Sequence, residues 1–271
     1  MGVARLEAPA KLTLSLHVHG RRPDGYHELT AEMVSLDLAD TLTVDSAGDG
    51  LEIDAGGDLR AGDLAAGADN LVCRALVAVG RTARVRLEKR IPVRGGLGGG
   101  SSDAAAVLRW AGCSDPALAA TLGADVPFCL VGGRAEVTGL GERVVPLDYE
   151  DRSFVLLVPP LGVDTAAVYR AWDTLGADGA PSGGSGELTG RNDLTRAAIL
   201  VEPGLIRWRD LLGDATGRQP LLAGSGSTWY VEGTPADLGL EGRTSLTLDG
   251  KPGRLIPART VPAGWSGTPE S

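Results

Sequence analysis

Gly95-Gly96-Leu97-Gly98-Gly99-Gly100-Ser101-Ser102 is the stretch from which the rest of the chain is best read. Its glycines let the backbone approach an anion closely and turn several N–H groups toward one point. Upstream, Thr82 to Glu88 alternates with Val85 and Leu87 inward, the period of a strand. Downstream, Ala104, Val107, Leu108 and Ala111 recur at helical spacing until Gly112 ends the pattern. The loop therefore joins a strand to a helix start, where unpaired N–H groups and the positive end of the dipole favour phosphate. Ser101 and Ser102 either cap that helix or bind phosphate and a magnesium ion. No lysine follows the glycines and no GxGxxG spacing occurs, which argues against P-loop NTPases and Rossmann dehydrogenases.

Working outward, Leu12, Leu14, Leu16 and Val18 alternate with Lys11, Thr13, Ser15 and His17, which predicts a strand with one polar face. Lys11 falls just before that strand on the polar side, where a lone lysine is ordinarily solvated. Arg22-Pro23-Asp24-Gly25 is a turn, and Val34, Leu36, Leu38, Leu42 and Val44 resume the alternation as a meander. Asp69 to Val79 reads as a helix capped by Asp69 and stopped by Gly80. In Gly123-Ala124-Asp125-Val126-Pro127-Phe128, Asp125 reads as an N-cap and Pro127 as a first-turn residue. A cap and a catalytic base are compatible there, because a carboxylate has two oxygens. Asp103 reads as a first-turn acid complementing the helix dipole.

Ala135 to Val137 and Phe154 to Val158 read as strands, and 176–190 as a Gly/Ser/Asp-rich loop. A helical stretch from Asp193 to Leu212 precedes a second glycine turn, Gly224-Ser225-Gly226-Ser227. Short strand-like runs follow Gly233. A boundary between Pro146 and Arg152 divides the chain into α+β portions, 1–147 and a smaller 148–271.

The 271 residues carry a net charge of −9, which speaks against sequence-independent nucleic-acid binding and asks any phosphate site to be built locally. Cys73, Cys113 and Cys129 are odd in number, with no CxxC, and suit a reducing compartment. No signal-peptide core or bilayer-length apolar run is visible, so the expectation is a cytoplasmic protein without membrane contact. His17 and His19 have same-face spacing but no third ligand, so no dedicated metal site is expected. Monomer and isologous homodimer both remain open.

Ala8-Pro9-Ala10-Lys11-Leu12, the run from Gly20 through Pro23-Asp24-Gly25-Tyr26-His27-Glu28-Leu29, and Asp69-Asn70-Leu71 together resemble the GHMP kinases. So do Lys89-Arg90-Ile91-Pro92 through Ser102-Asp103-Ala104-Ala105, Leu122 to Phe128, Arg191-Asn192-Asp193-Leu194 and Gly224 to Ser227, all in the family's order. The glycine loop is common to the whole family. The PDGYHEL and LGADVPF segments are more specific, and they resemble the branch that phosphorylates a cytidine-diphosphate-linked methylerythritol.

This resemblance implies a two-domain GHMP kinase fold, with a ribosomal-protein-S5-like first domain and a ferredoxin-like second one. It implies ATP with Mg²⁺, and a cleft between the domains. Asp125 matches the catalytic aspartate and Lys11 the lysine beside it. Pro92, Val93 and Arg94 through Gly95, Gly96, Leu97, Gly98, Gly99, Gly100 and Ser101 to Ser102 match the ATP-phosphate loop. Tyr26 and His27 match positions that hold the cytosine, and Tyr169 an aromatic stacking on its other face. Thr13 stands at a substrate position where the family usually has Asn, and Ala223 where a small hydroxyl residue is usual. The segment around Cys113 to Ala119 is short, and the usual final helix pattern is missing. The alternatives are a GHMP kinase of homoserine or mevalonate type, and a non-catalytic nucleotide-binding relative.

Overall fold

Two 19-residue strands, β1 (Val3–Arg21) and β2 (His27–Asp45), pair antiparallel along almost their whole length and form the backbone of the first sheet. The computed structural model describes residues 2–55, 67–176 and 191–267. On its other edge β2 meets β4 (Arg84–Lys89) and, further along, β5 (Arg134–Gly139). Outside these lie β3 (Gly50–Ala55), parallel to β4, and β6 (Arg143–Leu147). Helices α1 (Leu71–Ala78), α2 (Gly99–Trp110), α3 (Pro116–Leu122) and α4 (Val126–Val131) join this sheet in the first apolar cluster.

The second sheet runs in the order β10 (Ser245–Leu248), β11 (Lys251–Arg259), β7 (Ser153–Val158), β9 (Trp229–Glu232), β8 (Leu221–Leu222). Helices α5 (Thr165–Leu175), α6 (Thr195–Val201) and α7 (Gly204–Thr216) supply residues to the cluster that this sheet buries. A third cluster joins the two sheets, setting Ala10, Leu12, Leu14 and Leu36 with Phe154, Leu156 and Tyr230. β1 contributes to all three, through Ala8 to the first, Ala10 to Leu14 to the third, and Leu16 and Val18 to the second.

The α+β reading holds, and all the strands of the first sheet precede those of the second. Several local readings change. Asn70, not Asp69, caps α1, its Oδ1 accepting from Val72 N at 2.9 Å. The 193–212 stretch is two helices, separated by Glu202-Pro203. β1 starts before Lys11 rather than after it, and irregularities at Pro9/Lys11 and Thr13/Ser15 shift its register. No helix is found beyond Gly217 among the described residues, and strands occupy the segment after Gly233. Most of the 176–190 loop lies outside the described residues. Among those described, no helix is long and apolar enough to cross a membrane.

Candidate active site

α2 begins at Gly99, after Gly98 in the left-handed conformation with no side-chain cap. Ser101 and Ser102 thus lie in the first turn and neither caps the helix. Ser102 is fully buried, its hydroxyl donating to Pro9 O at 2.6 Å, so it does not face the cleft where a phosphate-bound ion would sit. The N–H groups of Gly99, Gly100 and Ser101 precede the first helical bond, from Ser102 N to Gly98 O at 2.9 Å.

Two glycines in the loop are required by contact as well as by dihedral. At Gly98 (φ +68°) a Cβ would lie 2.6 Å from Lys11 Cγ, and at Gly96 (φ +76°) 2.3 Å from Ala223 O. The loop is therefore folded directly onto both Lys11 and the second glycine turn. That turn is held from behind by Asn192, whose Nδ2 donates to Leu222 O (2.8 Å) and Gly224 O (2.7 Å).

Lys11 is only 5% exposed, which overturns its reading as a solvated lysine. What read as the polar face of a strand is roofed by the glycine loop, and Lys11 N donates to Leu97 O at 3.0 Å. Its Nζ donates to Thr13 Oγ1 at 3.2 Å and lies 3.3 Å from Asp125 Oδ2. Asp125 sits at the start of α4 but makes no capping hydrogen bond with its side chain; the carboxylate turns to Lys11 instead. Beneath it Cys129 is sealed in, and burial together with the Asp125 charge pushes its thiol up to about 12, so it is inert.

A cavity of about 990 Å³ opens over this pair. Pro92 to Ser101, Lys11, Thr13, Asp125, Gly224 and Ser225 line it, as do Tyr26, His27 and Tyr169. Of the residues singled out from the sequence, Ser102, Gly226 and Ser227 are not on its wall; Ser227 donates instead to Leu161 O at 2.7 Å. Tyr26 is 64% exposed at the rim. His27 stacks on Tyr169, centroids 4.9 Å apart at 27°, so these two rings face each other. Among the described residues no group of three or more His, Cys, Asp or Glu side chains could hold a metal ion. His17 and His19 are instead bonded to Asp193 and Thr30.

Sequence reasoning missed two clusters. Lys89 Nζ donates to Asp40 Oδ2 and to Asp103 Oδ2 (2.8 Å); all three are buried, and Lys89 and Asp103 line the cavity. The signal was there, since Lys89 continues the inward series Val85, Leu87. Asp103 is thus no surface dipole partner. The other is Asp173, which lies four residues beyond Tyr169 on α5 and accepts from His27.

Burial would lower the Lys89 ammonium, but Asp103 and Asp40 outweigh it and raise it. Asp40 also accepts from Arg90 N and Ile91 N, whereas Asp103 Oδ1 has no partner. Burial, with Asp40 nearby, accordingly pushes Asp103 up to about 7 against the pull of Lys89. A carboxyl that keeps its proton in the fold but loses it when unfolded favours the fold at low pH. Its contribution is present below the ordinary value of 3.8 and is lost as pH rises toward about 7. Urea midpoints at about pH 5 and about pH 8 should show this loss, at most about 1.4 kcal/mol per pH unit. Asp103→Asn should flatten it; an identical slope in the variant would assign the effect elsewhere.

Comparison with known proteins identifies the family. The GHMP kinases N terminal domain matches residues 68–133. A 4-diphosphocytidyl-2-C-methyl-D-erythritol kinase from Paracoccus denitrificans is 42% identical over 237 residues, 83% of this chain and 85% of the relative. A solved 4-(cytidine 5'-diphospho)-2C-methyl-D-erythritol kinase superposes with a TM-score of 0.71 at 34% identity, covering 94% of this chain and 98% of that one. A putative homoserine kinase from Listeria monocytogenes, at 16% identity and a TM-score of 0.60 over 97% and 98%, shares the fold. A buried lysine paired with an aspartate beside a glycine loop, on a chain this similar over this length, makes the protein a member of the GHMP kinases, in the family of 4-diphosphocytidyl-2-C-methyl-D-erythritol kinases.

Proposed function

We propose that this ATP-dependent kinase phosphorylates the 2-hydroxyl of 4-diphosphocytidyl-2-C-methyl-D-erythritol, a step of the non-mevalonate isoprenoid route, in the cytoplasm. The observation that carries the reading is the Lys11–Asp125 pair, 3.3 Å apart on the wall of a cavity whose other sides are the glycine loop and the His27–Tyr169 stack. The glycine cradle and the free N–H groups at the start of α2 suit a polyphosphate, and the missing Cβ at Gly98 lets the loop lie directly on Lys11. Residues 1–147 and 148–271 act as the two domains flanking that cleft.

Asp125 Oδ accepts the proton of the substrate hydroxyl as its oxygen bonds to the γ-phosphorus and the bond to the ADP oxygen breaks. Lys11 Nζ, held in place by Thr13, neutralises charge on the transferring group. Thr13 is one atom short of an asparagine's reach, and here its hydroxyl is engaged by Lys11. Mg²⁺ would travel with ATP and would spread phosphate charge, with Ser101 and Asp125 the cavity-lining oxygen side chains that would hold it. Tyr26, His27 and Tyr169 hold the cytosine. The acidic chain, at −9, supports a small-molecule partner over a nucleic acid.

ADP release by the purified protein with Mg-ATP tests this. Release should depend on the cytidyl substrate and be absent with homoserine or mevalonate. Release with either of those, or with none of the three, would reject the assignment.

A further inference from the structure

His27 enters the cavity from the start of β2, yet its ring is fixed by an element of the other sheet's half. Its Nε2 lies 2.6 Å from Asp173 Oδ1 on α5. The ring is stacked on Tyr169 (4.9 Å) and met edge-on by Trp172 (5.5 Å), both also on α5. The imidazole is almost enclosed, with 9% of its side chain exposed. Asp173 is itself tethered, with Oδ2 3.8 Å from Arg21 Nε at the end of β1. Three side chains of one helix and one strand end therefore set both the plane and the edge of this histidine.

The chemistry of that contact is directional. An ionised carboxylate only accepts hydrogen bonds, so the nitrogen facing it must carry the hydrogen. In a neutral imidazole that leaves Nδ1 with a lone pair. Among the described residues Nδ1 has no hydrogen-bond partner, and it is not one of the sealed, unpartnered polar atoms. It keeps some access to solvent, on a residue that lines the cavity. A lone pair there attracts an amino group and repels a carbonyl oxygen, which is the difference between a 4-amino and a 4-oxo pyrimidine.

We propose that Asp173 is a positioning residue that holds His27 with hydrogen on Nε2, so that Nδ1 accepts from the exocyclic amine of a cytosine and disfavours a uracil. The base-selecting part rests on the function proposed above; the tautomer part does not. His17 supplies an internal control, because its Nδ1, not its Nε2, faces a carboxylate, Asp193 Oδ2, at 2.7 Å.

Nitrogen-15 NMR of the ring nitrogens across a pH titration decides the first part. With only three histidines, His17, His19 and His27, each ring can be assigned by single substitution. In the wild type the neutral His27 ring should be the Nε2–H form and that of His17 the Nδ1–H form. Asp173→Asn, whose amide can donate, should abolish the His27 preference and leave His17 as it was. In steady state the same variant should raise KM for the cytidyl substrate about tenfold, the loss of one hydrogen bond. It should leave kcat and KM for ATP nearly unchanged, and it should narrow the kcat/KM gap between cytidyl and uridyl substrates.

A wild-type His27 ring in the Nδ1–H form overturns the proposal, even if Asp173→Asn does not fold. A tautomer change with unaltered cytidyl-over-uridyl preference overturns the base-selecting part. Wild-type protein inert toward the cytidyl substrate would fail the proposed function, while the ring measurement would still decide the role of Asp173.

Discussion

Asp125→Asn should lower kcat by about 10²–10⁴-fold with little change in KM for ATP, the range expected when a general base is removed. The substitution keeps the shape of the side chain and keeps an oxygen for Lys11, so the pocket survives. What it removes is the capacity to take a proton. Among the described residues, Asp103 faces Lys89 and Asp173 faces His27, so neither is placed to take over from it. Cys129, beneath it, holds its proton too firmly to substitute. ADP release under saturating substrates measures the effect. A kcat within a few-fold of wild type would remove Asp125 as proton acceptor and leave positioning by Lys11 and the glycine loop as the source of catalysis.

Lys89→Met is expected to have the largest effect on stability. It leaves Asp40 and Asp103 buried against each other without their shared cation, a change that typically costs about 3–5 kcal/mol. Part of the loss is relieved when Asp103 takes up a proton, so the variant should be less unstable at acid pH than at neutral pH. Replacing both Lys89 and Asp103, by Met and Leu, should recover much of the loss, because uncharged neighbours then leave only Asp40, which still accepts from Arg90 N and Ile91 N. Denaturant midpoints read this directly. A single variant within about 1 kcal/mol of wild type would mean that the cluster is hydrated rather than sealed.

The strand from Leu12 to Val18 and the strand–loop–helix around Gly95 were legible because local periodicity and glycine chemistry suffice to specify them. Lys11 and Asp125 could be matched as site residues, yet their surroundings were misread for a common reason. A period of two says which side chains share a face, and it cannot say what covers that face. In β1 both faces are covered, one by apolar clusters and the other by Leu97 and Gly98 of the loop. The contacts that orient the site join residues far apart in the chain, His27 with Asp173 and Lys89 with Asp40, 146 and 49 positions away. Periodicity carries no information at that range. Asp103 shows the same limit: it lies on α2 but past the first turn, and its partner is Lys89 rather than the helix dipole.

The threading of β1 through all three apolar clusters bears on how the molecule breathes. A segment held by a single cluster can detach by itself, but from Ala8 to Val18 this strand has no such local exit. Its backbone amides should exchange with solvent deuterium only through opening of the whole molecule, among the slowest in the protein. Lys11 is therefore carried on a segment that should be among the last to fray, and turnover should proceed with the lysine held in place.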